Sequence, residues 1–277
     1  MTEADGSQVA NAYRNQHFVP EMYLRLFNEG HEDAIDIVPM RSGRLVRGAS
    51  LHNQASKHLF YGEDGSVERE LGQIEGAAAG IIATILRRDR PPNRLSPDHQ
   101  GLVMFISIQL MRTLAAVEEA NERADKVAKS MIREAIPGHE MLDRLDLVKV
   151  TLSDPVADAM RAGFQGTPFL YDLKMKLIVN SSDVPFLASD APVIMHNCLY
   201  EGTGAPASGY ANKGLQIVLP PGPWRALILY DSAVYEVRLR RQQCSAASQC
   251  TPCRTDQRSP VGNGTKRCVC GRRRAGS

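Results

Sequence analysis

No stretch of this 277-residue chain stays apolar long enough to cross a bilayer. The longest such run, Leu102 to Met111, covers about ten residues and already holds Ser107 and Gln109, against the roughly 20 that a membrane helix needs. The first fourteen residues carry Glu3 and Asp5 and lack an apolar centre. They read as a flexible tail and give no support to export. Up to Val237 the only cysteine is Cys198, which leaves no disulfide framework in the body and suits a reducing cytoplasm. Several motifs are also absent: a Gly-x-Ser-x-Gly elbow, a Walker A loop and a His-Glu-x-x-His pair. Gly202-Thr203-Gly204 has neither the third glycine nor the following helix of a dinucleotide site. Hydride transfer and nucleotide hydrolysis therefore lose their usual carriers.

What is present is a chain 43% hydrophobic, enough to bury a large core. A net charge of +2 hides a division near residue 238. From Arg238 onward there are ten Lys and Arg against Asp256 alone, so the body lies near −7 and the tail near +9. Five cysteines, Cys244, Cys250, Cys253, Cys268 and Cys270, also fall in the tail. Between Gln242 and Ser277 there is no Leu, Ile, Phe, Met, Trp or Tyr, so almost nothing offsets the entropy of ordering. Residues 238–277 thus read as disordered, with the composition of GC-rich codons translated out of frame. Two rivals stay open. The four thiolates of Cys250, Cys253, Cys268 and Cys270 could hold zinc, although Cys-x-Cys without an apolar shell is a weak match. Arg272-Arg273-Arg274 could contact nucleic-acid phosphates.

Along the body, residues 34–38 and 44–47 flank Met40-Arg41-Ser42-Gly43 and predict a hairpin with Gly43 at the positive-φ position. From Ser66 to Arg88, apolar residues recur at three- and four-residue steps, a helix stopped by Pro91-Pro92. Ser96-Pro97 opens a second helix that is expected to run on through the charged stretch to Arg133 as the longest in the chain. Segments 139–148 and 153–163 predict shorter helices. Strands are expected at 173–179, 186–188, 193–195, 215–219 and 226–230. Helices in the middle with strands at both ends indicate a single α+β domain over 15–237, central helices packed with short, mostly antiparallel strands.

The densest signal is Asn15-Gln16-His17-Phe18-Val19-Pro20-Glu21-Met22-Tyr23-Leu24-Arg25-Leu26-Phe27. Pro20 suits a helix's first turn, Tyr23, Leu24 and Phe27 then share a face, and His17 is held just before it. This run resembles the signature of an uncharacterised bacterial family called domain of unknown function 4238, His-aromatic-Val/Ile-Pro-x-x-Tyr-Leu-x-x-Phe. The resemblance continues through Phe60-Tyr61, Glu68, Ile74-Glu75, Gln109 to Thr113, Leu187 to Pro192 and Val218 to Pro223. It covers about 15–237 and departs from the pattern at Gln16 and Leu114, and again at the tail, where the family continues with another helical segment.

Gln109 and Arg112 stand on an otherwise apolar helical turn, so a buried guanidinium needs a partner among Glu68, Glu75 and Asp190. The functional reading gathers His17, Glu75 and Asp190 as acid, base or metal-holding groups, with Gln109 and Arg112 holding an anion. That describes a hydrolase, a metal-dependent nuclease among the options. The alternative is a non-catalytic binding or regulatory module for an anionic ligand or nucleic acid. A third reading makes Glu75 and Arg112 a buried ion pair that fixes helix register. Asp190 before Ala191-Pro192 would then cap a turn through its own side chain. Cys198 beside His196 reads as packed rather than catalytic. Substrate, metal and cofactor have no signature in the sequence.

Overall fold

A computed structural model describes residues 14–201 and 209–237. The readings made for residues 1–13, for Gly202-Thr203-Gly204 and for the tail from Arg238 lie outside the described residues. Within them the fold is α+β. Strand β1 (Asn15–His17) leads into the four-residue helix α1 (Glu21–Leu24) and a 3-10 turn over Arg25–Phe27. Pro20 stands one place before the first turn, with an extended ψ of 141°, and its carbonyl accepts from the N–H groups of Tyr23 and Leu24. Tyr23 and Leu24 are buried, and the Tyr23 hydroxyl donates to the Pro220 carbonyl at 2.8 Å.

β2 (Ala34–Ile37) and β3 (Val46–Ser50) form the expected antiparallel hairpin, with Gly43 at a φ of 60° that a side chain disfavours. After a 3-10 turn at Leu51–Asn53, β4 (Ser56–His58) returns along β1, with His17 opposite Ser56. α2 (Ser66–Arg88) has the bounds its periodicity indicates, and buries Leu71, Ala78, Ile82 and Ile85 along one stripe.

The expected long helix is instead two, α3 (Pro97–Met111) and α4 (Leu114–Ala135), bent by 64°. The residue chemistry at the joint explains the correction. Arg112 leaves helical geometry at φ −95° and ψ 9°, and Thr113 turns extended. The Thr113 side chain then accepts from the Ala116 N–H at 3.2 Å, a fresh N-cap. α3 is apolar on all sides and buried, as a central helix must be, whereas α4 buries no residue fully. Among the described residues, no single helix is long and apolar enough to cross a membrane.

A 3-10 helix (Glu140–Leu147) and α5 (Pro155–Leu170) follow. α5 runs seven residues past the expected end because its last turns bury Thr167 and Leu170 in the core. It crosses α3 closely: the Ser107 hydroxyl donates to the Gly163 carbonyl at 2.7 Å, and a Cβ on Gly163 would sit 3.1 Å from Met111 Cγ. The final sheet has the order β5-β8-β7-β6, all antiparallel, from β5 (Lys174–Val179), β6 (Ile194–His196), β7 (Gln216–Leu219) and β8 (Arg225–Tyr230). The expected strand at 186–188 does not form. Pro185 has no N–H to donate, Phe186 bonds only the Pro223 carbonyl, and Leu187 points to solvent. Val19, Tyr23, Ile82, Leu102, Phe105, Ile217 and Leu229 join one core that carries β1 and α1 against helices and sheet alike.

Candidate functional site

Two polar clusters lie on opposite sides of β1, and strand alternation separates them. On the inner side Gln16 is fully buried; its amide donates to the Gly62 carbonyl at 2.9 Å and accepts from the Tyr61 N–H. Behind it stands Arg112, 1% exposed. Its Nε donates to Gln109 Oε1 at 2.7 Å and its Nη1 to Glu75 Oε1 at 2.6 Å. Gln109 passes the connection on, its amide donating to the Phe18 carbonyl at 2.9 Å. The Tyr61 hydroxyl donates to the His17 carbonyl at 3.0 Å. Glu68, one helical heptad before Glu75, accepts from the His17 main-chain N–H. Burial, with the Glu75 charge adding to it, pushes the Glu68 carboxyl up to about 7, against the opposing pull of Arg112. Tyr61 is raised as well, chiefly by burial. This cluster grips the main chain of β1 from α2 and α3.

The His17 imidazole faces the other way. Its Nε2 lies 3.5 Å from Glu21 Oε1, and His52 Nδ1 lies 3.4 Å from that same oxygen. The two rings have centroids 5.7 Å apart. Nε2 of His17 is buried and has no hydrogen-bond partner among the described residues, while the main chain of Leu51 and His52 reaches the ring. Burial is the largest influence on the His17 pKa and lowers it; the Glu21 carboxylate opposes this and His52 acts in the same direction as burial. Arg25 donates to the other carboxylate oxygen of Glu21 at 2.9 Å and leaves Oε1 turned to the histidines. Asn15 donates to the His52 carbonyl at 2.6 Å and fixes the turn that delivers that ring.

The donor atoms of His17, Glu21 and His52 all lie within 4.8 Å of one another. Metal bonds of about 2.0–2.2 Å at tetrahedral angles place neighbouring N and O ligands roughly 3.3–3.5 Å apart, the spacing seen at Glu21 Oε1. Side-chain exposure rises from 11% at His17 through 30% at Glu21 to 57% at His52, so the trio is backed by protein and open on one side. Two imidazoles and one carboxylate with free positions are a donor set that could hold a borderline-to-hard divalent cation.

Of the residues singled out from sequence, the structure brings Glu75, Gln109 and Arg112 together. No hydrogen bond or ion pair joins the His17 side chain to any of them. Asp190 is exposed and makes none among the described residues; the turn there is held by Ser189, whose hydroxyl donates to the Ala191 carbonyl and accepts from its N–H. Glu21 and His52 were not singled out. Glu21 stood inside the quoted run, four residues after His17. His52 carried no local signal, because the β2–β3 hairpin and the turn at Leu51–Asn53 bring it across.

Residues 15–254 match the family described as "Protein of unknown function (DUF4238)". The chain belongs to that family, and the match reaches beyond Val237, where the resemblance read from the residues ends. No curated protein and no solved structure matches the chain.

Proposed function

We propose that this protein is a divalent-metal-dependent hydrolase of the phosphodiesterase or nuclease type, working at His17, Glu21 and His52. The supporting observation is the buried, unpartnered Nε2 of His17, converging with His52 Nδ1 on Glu21 Oε1. A buried ring nitrogen left without a hydrogen bond costs stability unless something occupies it. When bound, a cation there supplies a Lewis acid and lowers the pKa of a bound water. The chain's own contributions are to lower the His17 pKa by burial, to orient Glu21 through Arg25, and to leave the His52 side open for substrate.

In this reading Glu75, Gln109 and Arg112 move from chemistry to support. Arg112 is too deeply buried to receive an anion from solvent; its Nε and Nη1 are engaged by Gln109 and Glu75, and its buried Nη2 has no hydrogen-bond partner among the described residues. Asp190 is likewise a turn residue without a catalytic task. We place the protein in the cytoplasm, a reading that rests on the scarcity of cysteine before residue 238.

Titration with Mn2+, which favours oxygen and nitrogen ligands over thiolates, tests the site in the full chain. Bound Mn2+ is expected in the wild-type protein, together with Mn2+-dependent cleavage of bis(p-nitrophenyl) phosphate or single-stranded DNA. Both should disappear in His17→Ala and in Glu21→Gln. Binding without turnover would replace the hydrolase by a metal-binding regulatory module. Absence of binding would overturn the proposal.

A further inference from the structure

A second group of ligating side chains lies on the terminal sheet, remote in sequence from the first. His196 ends β6, and Cys198 and Glu201 follow in the turn. His196 Nε2 is 3.2 Å from Cys198 Sγ and 3.3 Å from Glu201 Oε1, and the three donor atoms lie within 4.8 Å of one another. The common target of both contacts decides between two chemistries. In a nucleophile–histidine–carboxylate triad the thiol and the carboxylate occupy different ring nitrogens, because one proton is relayed across the imidazole. Here both face Nε2. Three donors converging on one point suit a cation. Ligand bonds of about 2.0–2.3 Å at tetrahedral angles separate N, O and S donors by roughly 3.3–3.6 Å, close to the spacings observed.

The first half of the turn that presents these groups is held by side-chain hydrogen bonds. Asn197, between His196 and Cys198, is buried; its side chain accepts from the Leu199 N–H at 3.2 Å and donates to the Lys213 carbonyl at 3.0 Å. The opposite wall is Gly214, at a φ of 83°, where a Cβ would strike Leu199 and Asn197. β7 fixes His196 by pairing it with Gln216, and the Cys198 thiol donates to Gln216 Oε1 at 3.6 Å. The His196 end of the turn is thus anchored while all three ligands stay exposed.

We propose that His196, Cys198 and Glu201 form a second cation site, selective for thiophilic divalent ions of the Zn2+ class, with one coordination position open to solvent. The thiolate gives it a softer donor set than His17, Glu21 and His52, so the two sites divide the metals between them. Binding releases the Cys198 proton to solvent and forms a metal–sulfur bond, with no change of oxidation state.

Co2+ is the probe, because its bond to a thiolate produces a near-ultraviolet sulfur-to-metal charge-transfer band that imidazole and carboxylate ligands do not give. The background is the full chain with the five tail cysteines, Cys244, Cys250, Cys253, Cys268 and Cys270, replaced by Ser. The band should appear there, saturate at one thiolate-bound Co2+ per chain, be abolished by Zn2+ and be lost in Cys198→Ser. It should persist in His17→Ala, which separates this site from the first. His196→Ala should weaken the Co2+ titration while leaving the folded circular-dichroism spectrum unchanged. No band in the five-serine background, or a band that survives Cys198→Ser, would overturn the assignment.

Discussion

At the scale of single residues, Arg112, read from the sequence either as an anion holder or as half of a buried ion pair, is paired with Glu75 and buried. Its guanidinium joins Glu75 on α2 to Gln109 on α3, and through Gln109 reaches the Phe18 carbonyl beside β1. Arg112→Ala should cost about 3–5 kcal/mol in urea unfolding, because Glu75 and Gln109 would be left without their donor. The double replacement Arg112→Met with Glu75→Gln should recover much of that loss and keep Mn2+ binding. A pair needed for anion recognition would lose activity and regain none. Glu68 gives the pH dependence. Burial pushes its carboxyl up to about 7 from the ordinary 4.5 of a free glutamate, so the native state holds the proton more tightly across that window. Proton binding by the native state exceeds that of the unfolded state there, and this group's contribution to stability falls as pH rises from about 4.5 to 7. Denaturation midpoints taken across that range should show the decline, and Glu68→Gln should flatten it. An unchanged slope in the variant would place the titration elsewhere.

At the scale of elements, the joint between α3 and α4 shows where periodicity alone misleads. Apolar residues through Leu114 and helix formers beyond it look continuous, but Thr113 is a good N-cap and Arg112 is drawn inward by its partners. Thr113→Ala should cost about 1 kcal/mol, measured by thermal unfolding, while Thr113→Ser should cost much less. Helix starts with their own side-chain signals were legible: Ser96-Pro97 opened α3, and the Leu71, Ala78, Ile82 and Ile85 stripe placed α2. The 186–188 segment was misread because a short apolar run next to proline has no ladder partner. Register and partner choice are set by distant backbone rather than by local pattern. The link between Glu75 and Arg112 was legible because a buried guanidinium demands a carboxylate. Which side of β1 the His17 ring faces was not, since it follows from Gln16 turning inward to Tyr61 and Gly62.

At the scale of the whole molecule, β1 is the shared wall of two unlike clusters. Its inner side is clamped by Tyr61, Glu68, Gln109 and Arg112, and its outer side presents His17 beside Glu21 and His52. One signature run therefore packs the core through Phe18, Val19 and Tyr23 and places a candidate metal ligand at the surface of the same fold. The central claim is that His17, Glu21 and His52 bind one cation, and the most direct test is X-ray absorption at the zinc edge. The sample is the full chain with all six cysteines replaced by Ser, loaded with one equivalent of Zn2+. The account predicts a first shell of nitrogen and oxygen at about 2.0–2.2 Å with the scattering of two imidazoles, reduced by one imidazole in His17→Ala. A protein that retains no zinc, or a first shell unchanged in His17→Ala, would contradict it.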